Sequence, residues 1–208
     1  MLDLKAQNSS KLPNDVRWVR ESDEYEYLCK QTYYMAEQAI LQNKKSNDQI
    51  AIVMDLDETV LDNSIYQVNL FKYSQKFNPE SWNAFVKKEI STLVPGAKDF
   101  ITTFKEQTNG IIIYLSNRDA ITTEATQNNL KKLGVLYKDD ILLLRKDKAD
   151  TKIVRRKEVT EGIGRMKAHG AKNVIAYFGD QMGDFPNDDS LKFTIHKFLF
   201  PNPMYGKW

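Results

Sequence analysis

The chain has 208 residues, 41% of them hydrophobic and 28% charged, with 30 basic against 28 acidic side chains and a formal net charge of +2. That length suits one domain with room for a small accessory lobe, and so even a charge argues against nucleic acid or a membrane surface as the main partner. A single cysteine, Cys29, excludes an internal disulfide, and no run approaches the roughly 18 apolar residues of a membrane-spanning helix.

The opening stretch, Met1 to Ser10, is polar and lacks the apolar centre of a secretion signal. The chain as it stands therefore reads as cytoplasmic or as the mature part of an exported protein, loosely ordered up to about Asn14. From Ser22 to about Lys45 the spacing predicts a helix. Ser22 is its cap, Glu24 and Glu26 suit its positive end, and Lys44 and Lys45 suit the other end. Tyr25, Leu28, Cys29, Thr32, Met35, Ala36, Ala39 and Ile40 recur at the spacing of one helix face, which makes Cys29 a buried structural thiol. Residues 15–45 and about 66–93 are expected to contribute to a smaller helical lobe within a single domain.

Four short apolar runs read as strands: Ile50–Met54, Ile111–Leu115, Ile141–Leu144 and Val174–Phe178, with Phe193–Phe200 a fifth. Helical patterns cover Pro79–Glu89, Gly96–Glu106, Thr122–Leu133 and Val154–His169, the last weakened by two glycines. Alternation of strand and helix implies an α/β fold, a parallel sheet covered by helices on both faces.

Two acidic clusters directly follow strands: Asp55-Leu56-Asp57-Glu58-Thr59 and Gly179-Asp180-Gln181-Met182-Gly183-Asp184. An open α/β sheet gathers ligands at the carboxyl ends of its strands. A carboxylate is already ionised at neutral pH, so Asp55 needs no activating base to attack phosphorus. Asp57 can then protonate the leaving oxygen and later deprotonate water; the bland alternative is that one acid caps a turn and the other is solvated. Asp180 and Asp184 share a face if they lie on a helix. With Asp55 and Asp57 they supply hard oxygens for Mg2+, and such a cluster repels itself without a cation.

Ser116-Asn117, at the end of the second strand, can bind phosphoryl oxygens or simply open a helix. A lysine in the basic run Arg145 to Lys157 can balance the charge of phosphate and nucleophile, although such runs are usually solvated faces. Asp188 and Asp189 read as surface turn residues, and His169 and His196 have no catalytic partners in sequence.

Taken together, Asp55-x-Asp57-Glu58-Thr59, Ser116-Asn117, a downstream lysine and Gly179-Asp180-x-x-x-Asp184 resemble the haloacid dehalogenase (HAD) superfamily. More narrowly, they resemble its bacterial class C, four-aspartate nonspecific acid phosphatases. The stretch from Ile52 through Asp62-Asn63 to Tyr66 is similar to that family's first signature, and Gly179 to Phe185 to its second. Gln181 and Met182 depart from the second pattern but spare both aspartates. Trp18-x-x-Glu21-Ser22-x-Glu24-Tyr25, Val94-Pro95-Gly96-Ala97 and Leu199 to Trp208 extend the resemblance over nearly the whole chain.

The resemblance implies a HAD-like Rossmannoid sheet with Asp55 as nucleophile and Asp57 as acid and base. It makes Asp180 a direct magnesium ligand beside the Asp57 carbonyl, gives Asp184 to the metal's water shell, and puts Ser116 and Asn117 on the phosphate. Lys152-x-x-Arg155 matches the family's lysine motif, with Lys148 the alternative register. Tyr66, Trp82 and Tyr205 are candidates for an aromatic wall against a base or aryl group, and each reads equally as packing.

The implied activity is Mg2+-dependent hydrolysis of small phosphomonoesters, such as nucleoside monophosphates and aryl phosphates, through an aspartyl-phosphate. The alternatives are a narrow-specificity phosphatase or phosphotransferase, or a non-catalytic storage relative; plant storage relatives lack the nucleophilic aspartate that Asp55 supplies here. The resemblance further implies a homodimer exported to the bacterial periplasm, outer membrane or medium.

Overall fold

Runs rich in isoleucine, valine and leucine, too apolar to leave one face in water, pair here as buried parallel strands. The computed structural model describes residues 12–43 and 49–206. In chain order the elements are α1 (Asn14–Glu21), α2 (Asp23–Asn43), β1 (Ile50–Met54), β2 (Leu61–Asp62), α3 (Ser64–Lys72), α4 (Pro79–Val86), β3 (Thr92–Leu93), α5 (Ala97–Gln107), β4 (Ile111–Asp119), α6 (Thr123–Leu133), β5 (Ile141–Arg145), α7 (Lys152–Glu161), β6 (Asn173–Gly179) and β7 (Lys197–Leu199).

Five strands form one parallel sheet in the order β5-β4-β1-β6-β7, while β2 and β3 make a separate antiparallel pair. The chain leaves β1 on one side to build β4 and β5, then returns to the other side for β6 and β7. The switch point thus lies between the carboxyl ends of β1 and β6, where such sheets open a crevice for ligands.

Alternation along the strands sorts the core into two layers. Ile52, Met54, Ile112, Tyr114 and Phe178 face α2 and α5, whose Tyr33, Ala36, Phe100 and Phe104 cover them. Val53, Ile113, Leu115, Leu143 and Tyr177 face the other way, under Val159 of α7 and Met166. A third, smaller cluster of Tyr66, Leu70, Phe85 and Val86, with Trp82 against it, holds α3 to α4. Residues of α2 pack into the main core, and α1 reaches α3 through a bond from Arg20 to Ser64 Oγ (3.0 Å).

Several boundaries differ from the sequence reading. Asn14–Glu21 is already helical, and Ser22 then breaks the chain in an extended conformation before its Oγ accepts the Tyr25 amide (3.1 Å) to start α2. Lys44 and Lys45, offered as the end of that helix, lie outside the described residues, as do Lys207 and Trp208. Helix α3 starts after Asn63, whose side chain makes no cap bond; the Asp62 carboxylate accepts the Ser64 amide instead (2.7 Å). Helix α7 starts at Lys152, capped by Thr151, and stops at Gly162 in a left-handed conformation. The fifth strand shrinks to three residues, since Thr194 adopts φ 66° and turns the chain. Among the described residues no helix is long and apolar enough to cross a membrane.

Candidate active site

The ladder between β1 and β6 continues one bond past the strand. Asp55 N–H donates to the Phe178 carbonyl (2.9 Å), which pins the Asp55 backbone at the switch point. The chain then turns tightly on buried Leu56, whose carbonyl accepts from Val60 (2.9 Å) and Leu61 (2.7 Å). Glu58 takes up the reversal at φ 56°, a conformation that side chains other than glycine's rarely adopt.

At the end of β6, glycine is required for space. A Cβ on Gly179 would stand 2.3 Å from Asp184 Cβ, so only glycine lets Asp184 fold back onto the strand. Asp180 and Asp184 do not share an α-helix as the sequence suggested. Asp180 follows the strand and Asp184 ends a 3-10 turn, Met182–Asp184, closed by a reciprocal cap with Gln181. In that cap Asp184 Oδ2 accepts the Gln181 amide (3.0 Å), while Asp180 Oδ2 accepts from Asn202 (2.7 Å).

Lys152, the first residue of α7, reaches both clusters. Its Nζ lies 2.5 Å from Asp55 Oδ1 and also bonds Asp184 Oδ1. Lys148, the alternative, is exposed. Arg155, one turn on from Lys152, is fully buried and donates to the carbonyls of Ser116 and Leu143 and to Asn117 Oδ1 (2.6 Å). It braces the C-terminal part of β4 against β5. Arg156 is buried as well and donates to the Gly183 carbonyl (2.9 Å), whereas Lys157 in the same run is solvated, so Lys152, Arg155 and Arg156 turn inward from the basic segment.

Oxygens of Asp55, Asp180 and Asp184 come within 4.8 Å of one another. Burial pushes the Asp55 carboxyl well up, and Asp184, Asp180 and Asp57 add to this against Lys152. Asp180 is pushed up to about 6, by burial first and then by Asp184. Lys152 is held protonated because the two aspartates outweigh its burial. At these separations, like charges repel by about 4 kcal/mol even at an effective dielectric near 20. Hard, converging oxygens in that state fit a divalent cation such as magnesium.

The Asp57 carboxylate stands outside this trio. Its Oδ1 accepts from Asn63 Nδ2 (2.9 Å) and Arg118 Nε (2.9 Å), and its Oδ2 from Ser116 Oγ (3.3 Å). Arg118, which sequence reasoning did not single out, is the buried ion-pair partner of Asp57. Its signal was its position, since residues 116 and 118 of an extended strand point to the same side. Asn117, between them, is exposed.

The proposed aromatic wall divides. Tyr66 is buried in the lobe with its hydroxyl on Ser81 Oγ (2.7 Å). Trp82 is half-buried, with its ring 5.7 Å from the Arg118 guanidinium carbon. Tyr205 is half-buried, and its carbonyl accepts from Gln181 (3.4 Å), which brings the C-terminal segment to the acidic turn. His169, Asp188 and Asp189 are exposed, and His196 is bonded through Nδ1 to the Lys192 amide. A cavity of about 570 Å³ between α1 and the β2–β3 pair is lined by none of the four aspartates.

The family model for HAD superfamily subfamily IIIB (acid phosphatase) matches residues 3–208. Among solved structures, the chain is similar to the class C acid phosphatase from Bacillus anthracis, with a TM-score of 0.78 and 28% identity over 92% of this chain and 84% of that one. The tungstate-bound structure of the class C acid phosphatase from Bacillus anthracis gives a TM-score of 0.75 and 29% identity at the same coverage. Vegetative storage protein 1 of Arabidopsis thaliana is 25% identical over 190 residues, 88% of this chain, and the chain spans 66% of that relative's length.

Proposed function

The chain belongs to the acid phosphatase subfamily IIIB of the HAD superfamily, and on that footing we propose that it is a magnesium-dependent phosphatase of small monoesters, acting through an aspartyl-phosphate. The observation that carries this reading is the Asp55 carboxylate at the switch point, with Lys152 Nζ at 2.5 Å and Asp180 and Asp184 beside it.

Asp55 attacks phosphorus in line, and the ester oxygen leaves with a proton from Asp57. Asp57 then takes a proton from water, which attacks the aspartyl-phosphate and frees inorganic phosphate and the Asp55 carboxylate. Lys152 offsets the charge of nucleophile and phosphoryl group, and Ser116 and Asn117 offer donors to the phosphoryl oxygens. Asp55 and Asp180 would hold magnesium directly and Asp184 through its water shell; the ion supplies charge neutralisation for the transferring group.

Nucleoside monophosphates and aryl phosphates are the proposed substrates, with Trp82 the best placed of the three aromatics because it is only half-buried and its ring lies beside Arg118, the partner of Asp57. Export to the bacterial envelope and assembly as a homodimer rest on the resemblance alone.

The test is release of phosphate from AMP and 4-nitrophenyl phosphate at mildly acidic pH, with magnesium and with chelator. Magnesium-dependent release from both supports the broad phosphatase. Release from one only favours a narrow enzyme, and phosphate passed to added alcohols favours a phosphotransferase. Silence on both from folded protein would sink the broad reading and leave a narrow-specificity enzyme or, less favoured because Asp55 is present, a storage relative like the Arabidopsis protein.

A further inference from the structure

We propose that Arg118 is the positioning residue for proton transfer: with Asn63 it saturates one oxygen of Asp57 and so reserves the other, Oδ2, as the atom that carries the proton. This rests on the phosphatase reading above.

Three donors converge on Asp57 Oδ1: Arg118 Nε (2.9 Å), Arg118 Nη2 (2.8 Å) and Asn63 Nδ2 (2.9 Å). An oxygen surrounded by donors accepts no proton, since the proton would face three others. Among the described residues Oδ2 has one hydrogen-bond donor, the Ser116 hydroxyl at 3.3 Å, long enough to give way when a phosphoryl group draws that hydroxyl. Oδ2 therefore gives its proton to the ester oxygen as the bond to phosphorus breaks and the Asp55–phosphorus bond forms. In the second half-reaction it receives one from the attacking water.

The device is itself held rigid. Arg118 is 1% exposed, and each of its side-chain nitrogens has an acceptor: Nε on Asp57, Nη2 on Asp57 and Asn63 Oδ1 (3.2 Å), and Nη1 on Thr126 Oγ1 (3.3 Å). A buried guanidinium persists only when so satisfied. Asn63 cannot flip, because its Oδ1 also accepts from Ser91 Oγ (2.6 Å) and its Nδ2 also donates to the Leu61 carbonyl (3.1 Å). The Ser91 carbonyl in turn accepts from Asn129 (3.1 Å). Thr126 and Asn129 both belong to α6, so one helix backs both arms of the clamp. A lysine places a single charge and cannot reproduce the planar fork.

The experiment measures kcat/KM, which covers the first half-reaction, for aryl and alkyl monophosphates of graded leaving-group acidity. A 4-nitrophenolate departs with little help, whereas an alkoxide needs the proton. Arg118→Met is expected to lower kcat/KM for alkyl esters by about tenfold or more beyond its effect on 4-nitrophenyl phosphate. Asp57→Asn is expected to show the same bias, and Arg118→Met to add little on top of it.

A loss equal across the series, or one fully additive with Asp57→Asn, would overturn the proposal and leave Arg118 a structural ion pair. Should Arg118→Met fail to fold by thermal melting, Arg118→Lys carries the test: a smaller bias in the same direction supports it and a flat series overturns it. If Asp57→Asn itself is flat across the series, the acid–base reading has failed and Arg118 has nothing to position.

Discussion

The two halves of the site solve opposite electrostatic problems. On the β1–β6 side, Asp55, Asp180 and Asp184 face one ammonium, Lys152, so that two negative charges remain unmatched when all are ionised. On the β4 side, Asp57 faces one guanidinium, Arg118, and its Oδ1 is satisfied by protein alone. The first half is built around a charge that the chain does not contain. The second is complete within the fold. Charge deficit marks where a cation and phosphate belong, and saturation marks where orientation must be kept through the reaction.

The comparison breaks most sharply at Asp55. Asp55→Asn keeps the size of the side chain and removes the proposed nucleophile, so phosphate release should fall by about a thousandfold or more. Substantial turnover in the purified variant would take Asp55 out of that role.

Magnesium comes next. Added to chelator-treated protein at about a hundred times its dissociation constant, it should stabilise the fold by about 2.7 kcal/mol. The shift in melting temperature should shrink strongly in Asp180→Asn, which weakens the cradle, and persist in Asp57→Asn, whose carboxylate lies outside the trio. Equal shifts in both variants would remove the distinction between the halves.

Gly179→Ala sets a Cβ 2.3 Å from Asp184 Cβ. Overpacking of this kind costs about 1–3 kcal/mol, and here it also displaces a proposed ligand. Lower thermal stability together with weaker magnesium binding is expected; a silent substitution would mean that the turn has more room than its geometry indicates.

The smallest effect is on the pH dependence of the metal-free protein. Asp180 is raised from 3.8 to about 6, so between those values the native state binds more proton than the unfolded chain, and stability should rise as pH falls from 7 towards 4. Asp119 has the opposite sign. Bonds from Arg145 and Asn83 hold its carboxyl low, and its contribution is lost as pH drops below the ordinary carboxylate range. Thermal melts in chelator across pH 3–7 should therefore peak in mild acid, and Asp180→Asn should flatten the neutral limb. An unchanged neutral limb in that variant would show that Asp180 carries little of the strain.

Much of this site was legible before any fold was known. The strands that end in Asp55, Ser116 and Asp180 announce themselves as apolar runs followed by polar residues, and the sheet aligns those ends. The Lys-x-x-Arg match favours Lys152, but Lys148 in the same basic run stays open as an alternative until the fold places Lys152 on Asp55. The path from Asp180 to Asp184 was not decidable either: four residues suggest one helix face, yet the Gln181 cap and the space at Gly179 produce a 3-10 turn instead. The segment about 66–93 reads as part of a helical lobe, but the use of Asn63 was not readable: its side chain, at the N-cap of α3, is committed to Asp57 and Leu61 instead of capping the helix.

By itself the sequence determined the order of strands and helices, the two acidic clusters at strand ends and the family to which they belong. All of these are written in periodicity and in the identity of close neighbours along the chain. Only the tertiary structure decided that Lys152 meets Asp55 across 97 residues and that Arg118 meets Asp57 across 61. Pairings at that distance are set by how the helices pack on the sheet, and one residue's shift in packing would give the same sequence pattern a different set of partners.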